Sequence, residues 1–166
     1  MPHVKRHTDT ESLEIQADVS SVHWSQDGTH LVTSSNDMMA RIWRFDEESG
    51  HFEIEMVKTF GVMLMISKFN RTIPGDTQYT PLVATGGHSG VITIWVADAK
   101  SDRSNKDVAK LHHESLDPNL VGLELDWQNS KTIAVTGRSK NIYLWNIDTP
   151  QKPIVIWSGG HLEEVE

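Results

Sequence analysis

The chain has 166 residues, 37% hydrophobic and 23% charged, with 6 Trp and no Cys, and its 15 basic and 23 acidic side chains give a formal net charge of -8. That balance argues against sequence-independent binding to nucleic acid, where affinity comes from Lys and Arg displacing counterions. The lack of Cys excludes disulfides, thiolate nucleophiles and cysteine zinc sites, and no segment approaches the ~20 apolar residues of a membrane-spanning helix, so a soluble, intracellular chain is expected.

Taken in order, residues 1–14 form a polar N-terminal segment without the apolar run of a signal peptide. A strand is expected over Val19 to Trp24, then a hairpin over Leu31 to Trp43 turning at Asn36-Asp37, then a strand over Ile54 to Phe60. The same order returns twice. It runs Met63 to Phe69, Val83 to Trp95 with a turn at Ser89-Gly90, and Val108 to His112; then Leu120 to Trp127, Ile133 to Trp145 with a turn at Ser139-Lys140-Asn141, and Ile154 to Trp157. The three hairpins align without a gap, each passing from small and β-branched residues through a polar or Gly turn to an aliphatic residue and Trp, which is a hairpin signal. Their first arms are apolar or small throughout, as suits strands covered on both faces.

Self-similarity at a fixed period signals a repeat architecture. Trp43 to Trp95 is 52 residues and Trp95 to Trp145 is 50. The aromatic that ends the first strand precedes the Trp by 19 residues in unit one and 18 in unit three, but by 26 in unit two, where Arg71 to Pro81 adds a Pro/Gly loop. The mixed-charge stretch Ala97 to Asn119 is expected to be mobile.

These hairpins with terminal Trp, the hydrophobic-Trp strands before them and the Gly160-His161 pair resemble WD repeats, the blades of β-propellers. The resemblance implies an all-β fold with about three four-stranded antiparallel blades, near 17–60, 61–113 and 118–158, inside a WD-repeat region 15–166 whose residues 159–166 begin a further blade. Three blades cannot close a ring that needs about four to eight, so a longer, incomplete propeller is expected. Within the superfamily, Asp18 to Trp24, Leu123 to Thr132 and Pro153 to Val165 resemble the transducin-beta-like corepressor subunits of nuclear histone deacetylase complexes. The WD-repeat tetrad of His, Ser or Thr, Asp and Trp then carries over in part. Unit one offers Ser35, Asp37 and Trp43; unit two Gly87, Ser89 and Trp95; unit three Gly137, Ser139 and Trp145, with His161 serving a following blade and Trp127 structural in the strand before.

Catalytic readings find little support. His3 and His7 have ligand-pair spacing but no third ligand. His113-Glu114-Ser115-Leu116-Asp117 starts like a zincin helix and lacks its second His. Gly86-Gly87-His88-Ser89-Gly90 leads into a strand rather than the helix of a nucleophile elbow. No catalytic, metal or cofactor-binding residue is assigned, which leaves surface recognition. By the resemblance, Asn36, His88 and Arg138, each just before the tetrad's Asp position, would face the side of the propeller where partners dock. The implied partners are proteins: corepressor and deacetylase subunits, with basic histone tails suited to the acidic chain, and neither nucleic acid nor membrane. The implied setting is the nucleus. An adaptor in ubiquitin-ligase substrate recognition or RNA processing is the alternative.

Overall fold

The computed structural model describes residues 15, 17–77, 79–116, 123–137 and 140–158. Twelve strands and no helix are found among them: β1 Val19–Trp24, β2 His30–Ser35, β3 Met39–Asp46, β4 His51–Thr59, β5 Leu64–Phe69, β6 Leu82–Gly87, β7 Ile92–Val96, β8 Asp107–Leu111, β9 Glu124–Trp127, β10 Thr132–Thr136, β11 Asn141–Asn146 and β12 Val155–Ser158. They pair as three antiparallel four-stranded meanders, β1 to β4, β5 to β8 and β9 to β12. The fold is all-β, three WD-type blades, as the repeat implies. Even the irregularities recur. The β3–β4 ladder bulges between Ile42 and Trp43, and the β7–β8 ladder between Ile94 and Trp95, one residue before the repeated Trp in both sheets.

Strand alternation explains how the sheets stack. In sheet two, Leu82, Ala84, Ile92, Ile94 and Val96 project to one side and join Leu125, Trp127, Ile133, Val135, Tyr143 and Trp145 of sheet three in one core. Val83 and Trp95 project to the other side and join Val32, Ala40, Ile42 and Met56 of sheet one. Every residue of β6 and β7 is buried. The unbroken run of apolar and small residues in Leu82–Gly87 is thus the mark of a strand with two covered faces. Space there is tight: a Cβ on Gly86 would stand 2.3 Å from the Leu123 side chain, and one on Gly87 2.2 Å from the Met63 carbonyl.

The innermost strands are edges, and their spare backbone groups need partners. Side chains of the neighbouring sheet supply them. Ser67 N–H donates to Ser21 Oγ at 3.0 Å and Phe69 N–H to His23 Nδ1 at 3.3 Å, both crossing from β5 to β1. The Trp127 indole donates to the Lys68 carbonyl at 3.1 Å, crossing from β9 to β5. Buried Asn70 ties the same joint further on, donating to the Ser130 and Thr80 carbonyls and accepting from Leu82 N–H.

The stretch from Ala97 departs from the expected mobility. Its described part turns through hydrogen bonds such as Val96 N–H to the Lys106 carbonyl at 2.9 Å, and then forms β8. Lys58 of sheet one binds it at both the Asn105 carbonyl and Asp107, each at 2.8 Å. Part of the charge of this stretch thus serves a cross-sheet tie.

Two outcomes test this packing. Trp95 is wholly buried, so Trp95→Ala is expected to cost ~3–5 kcal/mol in chemical denaturation; a loss under about 1 kcal/mol would contradict the stacking. His23 has its pKa lowered below 6.5 by burial and by the nearby cations Lys68 and Arg71, partly offset by Asp126 and Glu124. The unfolded chain therefore binds more protons just below 6.5, and the contribution of His23 to stability is full above that pH and lost as pH falls through the folded value. In urea titrations His23→Asn, which keeps an acceptor for Phe69 N–H, is expected to flatten the stability decline on the acid side of 6.5, before the carboxylates titrate.

Candidate interaction rim

The β2–β3 and β6–β7 turns lie at equivalent ends of sheets one and two. At each, a polar residue is held by its backbone while its side chain is exposed. Asn36 N–H donates to the Asp18 carbonyl at 2.9 Å and His88 N–H to the Met63 carbonyl at 3.1 Å, in both cases to the residue just before the innermost strand. The missing Cβ of Gly87 is what lets Met63 approach so closely. Asn36 and His88 thus share one rim, fixed in place and open to solvent. Arg138 lies outside the described residues, as do Ser139 and His161.

Beneath Asn36, the Asp37 carboxylate works on two groups at once. It accepts from the Met39 amide at 3.1 Å and forms a two-pronged ion pair with Arg41, Nη1 to Oδ1 at 3.2 Å and Nη2 to Oδ2 at 2.8 Å. Arg41 has no exposed side-chain surface. A buried guanidinium requires such a partner, because an unpaired charge there is prohibitively costly. In sheet two Thr93 and Ser89 stand at these positions, and the Ser89 hydroxyl keeps only the amide bond, from Val91 at 3.3 Å. The turn's left-handed position is Gly90 in sheet two but Met38 in sheet one, with φ of 71° and 70°. Met38 bears strain that Gly90 avoids, and its side chain is 42% exposed.

The hydroxyl that receives the repeated Trp differs from the expected one. Trp43 Nε1 donates to Thr33 Oγ1 at 2.9 Å, and Trp95 Nε1 to Thr85 Oγ1 at 2.9 Å. Ser35 instead donates to the Ala17 carbonyl and accepts from Asp37 N–H. The reason is reach along one face: Thr33 stands in the middle of β2 opposite Arg41, two residues from Trp43 on β3, whereas Ser35 ends β2 at the turn. In sheet two a third member joins, since Ser67 Oγ lies 2.8 Å from Thr85 Oγ1. Sheet three has Val135 at the corresponding place, and the buried Trp145 Nε1 has no hydrogen-bond partner among the described residues. Trp145 is held by packing and by its stack on Tyr143. Aligning Val135 with Thr33 and Thr85 would have found this gap in the sequence.

His113 and Glu114, which opened the zincin-like segment, sit in a turn. His113 Nδ1 lies 2.7 Å from Ser115 Oγ and accepts from Ser115 N–H, and its ring packs on Tyr143.

An unsatisfied buried donor costs about 1–3 kcal/mol. Val135→Thr, which supplies the hydroxyl that sheets one and two already have, is expected to raise stability by about 1 kcal/mol; the reverse change Thr85→Val should lower it by at least as much. Equilibrium unfolding of both variants checks the pair, and a destabilised Val135→Thr would show that the Trp145 indole gains nothing from an acceptor there.

Comparison with known proteins agrees with this construction. Residues 9–44 match the family model for the WD domain, G-beta repeat. The chain is 28% identical over 127 residues to a Periodic tryptophan protein 2 homolog of Neurospora crassa, covering 76% of this chain and 9% of that protein. It is 36% identical over 84 residues to Jouberin of rat and of mouse, covering 51% of this chain and 7% of those proteins. The chain thus spans less than a tenth of the length of these relatives. The family match thus falls on the first repeat, and the structure builds the same four-stranded unit three times.

Proposed function

We propose that the chain is a non-enzymatic scaffold, a WD-repeat subunit of a nuclear histone deacetylase corepressor complex acting in transcriptional repression. The observation that carries the scaffold reading is the rim. Asn36 and His88 have backbones fixed by interlocked sheets and side chains exposed, so a docking partner meets groups whose ordering cost is already met by the fold. Arg138, at the matching position of unit three, completes the proposed docking set with a guanidinium suited to acidic or amide groups. The corepressor assignment is supported by the resemblance of Asp18 to Trp24, Leu123 to Thr132 and Pro153 to Val165 to transducin-beta-like subunits. The second reading is an adaptor of another complex, in ubiquitin-ligase substrate recognition or RNA processing. The identities to the Periodic tryptophan protein 2 homolog and to Jouberin favour it, since neither name is that of a corepressor.

Affinity purification of the tagged full-length native protein, with deacetylase activity assayed in the eluate, decides between them. The corepressor reading expects activity that a deacetylase inhibitor abolishes and that falls when Asn36, His88 and Arg138 are changed together to Ala, in nuclei rather than cytosol. A stable multiprotein eluate without deacetylase activity selects the second reading.

A further inference from the structure

The rim opposite Asn36 and His88 opens into a cleft of about 520 Å³ between sheets one and two. One wall is the outer end of an apolar face. Val32, Ile42 and Met56 bury themselves against sheet two, and toward this rim the same face turns polar, with His30 and Arg44 paired across β2 and β3. The β4 bulge adds Glu55 to that group, 2.9 Å from His30 and 3.8 Å from Arg44. The other wall is built by the longest of the three loops that join the first and second strands of a sheet. Residues 25–29 join β1 to β2 and 128–131 join β9 to β10, but 70–81 join β5 to β6. Gln26 clips this loop across the cleft, its Oε1 accepting from Thr72 N–H at 2.6 Å and its Nε2 donating to the Thr72 carbonyl at 3.5 Å. Tyr79, Pro81 and the Ala97–Lys100 turn complete the lining.

Charges in the cleft are unevenly satisfied. Arg44 is engaged by Glu53 and Glu55. Asp27, from sheet one, accepts only neutral donors: Ser25 Oγ at 2.7 Å, Thr29 N–H at 3.1 Å and Thr29 Oγ1 at 2.7 Å, all on Oδ1. Asp98, from sheet two, accepts the Lys100 amide at 3.0 Å, also on Oδ1. Among the described residues neither carboxylate has a basic side chain within ion-pair distance. Burial works against the charge of Asp27, yet the donations of Ser25 and Thr29 and the field of His30 outweigh it and hold its pKa below the ordinary value. Asp27 is therefore ionised at neutral pH. Burial, then the charge of Asp27, pushes the Tyr79 hydroxyl up to about 12, so the ring beside that carboxylate is a neutral phenol.

We propose that this cleft receives the arginine side chain of a bound peptide. Its aliphatic stem has Pro81 and Ala97 to lie on, and its guanidinium meets Asp27 and Asp98 from opposite walls. Tyr79 offers an aromatic face on which a planar cation stacks and a compact ammonium does so less well. Exposed Lys100 disfavours a second cation at the mouth and suits a peptide carboxylate beside the arginine. The cleft lies at the other rim from Asn36 and His88, so it stands whichever complex the scaffold joins.

The test titrates the full chain with N-acetyl-argininamide, with the uncharged isostere N-acetyl-citrullinamide and with N-acetyl-lysinamide, following amide chemical shifts. Saturable shifts at Thr72, Tyr79 and Lys100 are expected with the arginine amide, with affinity roughly tenfold above the citrulline amide and a smaller margin over the lysine amide. Asp98→Asn, which keeps the acceptor for the Lys100 amide, is expected to weaken binding several-fold. Asp27→Asn should do the same, and Glu48→Gln, on the exposed β3–β4 turn, should leave binding unchanged. Because Asp27 also ties its own turn, Tm is measured for each variant, and Asp98→Asn carries the conclusion if Asp27→Asn unfolds. Equal binding of the arginine and citrulline amides, shifts that never saturate, or equal weakening by Glu48→Gln overturns the proposal.

Discussion

The structure depends on the burial of sheet two from both sides. A single four-stranded meander has one row of apolar side chains on each face, and covering only one leaves the other in water. With sheet one on one side and sheet three on the other, β6 and β7 place alternate residues into two separate cores. This doubles the apolar area removed from water per strand, at roughly 25 cal/mol per Å². It also demands small residues where chains come closest: a Cβ on Gly86 would collide with Leu123 at the edge of sheet three, and one on Gly87 with the Met63 backbone at the start of its own sheet. The Gly-Gly step that could pass for a catalytic loop is therefore a packing requirement, and the same tight approach delivers the Met63 carbonyl to His88.

Polar groups decide register where apolar contact alone would allow sliding. The indoles of Trp43 and Trp95 each find a threonine across the ladder, and Ser67 adds a further hydroxyl in sheet two. Buried donors without acceptors cost more than a typical hydrogen bond gains, so shifting either hairpin would be penalised twice. Sheet three replaces this with packing of Trp145 on Tyr143. The inner strands face a similar demand, and Ser21, His23 and Trp127 meet it by pairing with backbone of the adjacent sheet. One sheet's side chains complete the next sheet's edge, so neighbouring sheets are coupled by more than apolar contact.

Much of the fold was legible because its signals are local. The gapless hairpins and their turn residues gave strand identity and turn position; two-sided burial, expected of all three first arms, holds for β6, while β10 alternates buried with half-buried residues. The hydroxyl partner of the Trp was misplaced by two residues, because spacing along the chain shows which positions share a face but not how far a side chain reaches across the ladder. Asp37 was placed at the turn, yet its ion pair with Arg41 could not be anticipated: an arginine in a strand reads as exposed until tertiary packing closes over it. The stretch from Ala97 looked free for a related reason, as nothing local reveals that Lys58, 47 residues before Asn105, will bind it. Asn36 and His88 were legible as turn residues, and their shared side was implied by the resemblance, whereas the backbone bonds that fix them followed only from the structure.

The two rims of the stack differ for a physical reason. At the Asn36 and His88 end the β2–β3 and β6–β7 turns are tight, the chain doubles back within a few residues, and those side chains are presented singly on a rigid border. At the other end the connections can lengthen without disturbing either core, since loop closure costs grow only slowly with length. Unit two has used that freedom. Its added residues from Arg71 to Pro81 do not trail into solvent but are clipped to sheet one through Gln26 and Thr72, and they wall a cleft whose opposite side is the polar end of a core face. Insertion at a permissive end of a repeated unit therefore creates a concave surface, while the apolar stack that supports it is built from the strands on either side.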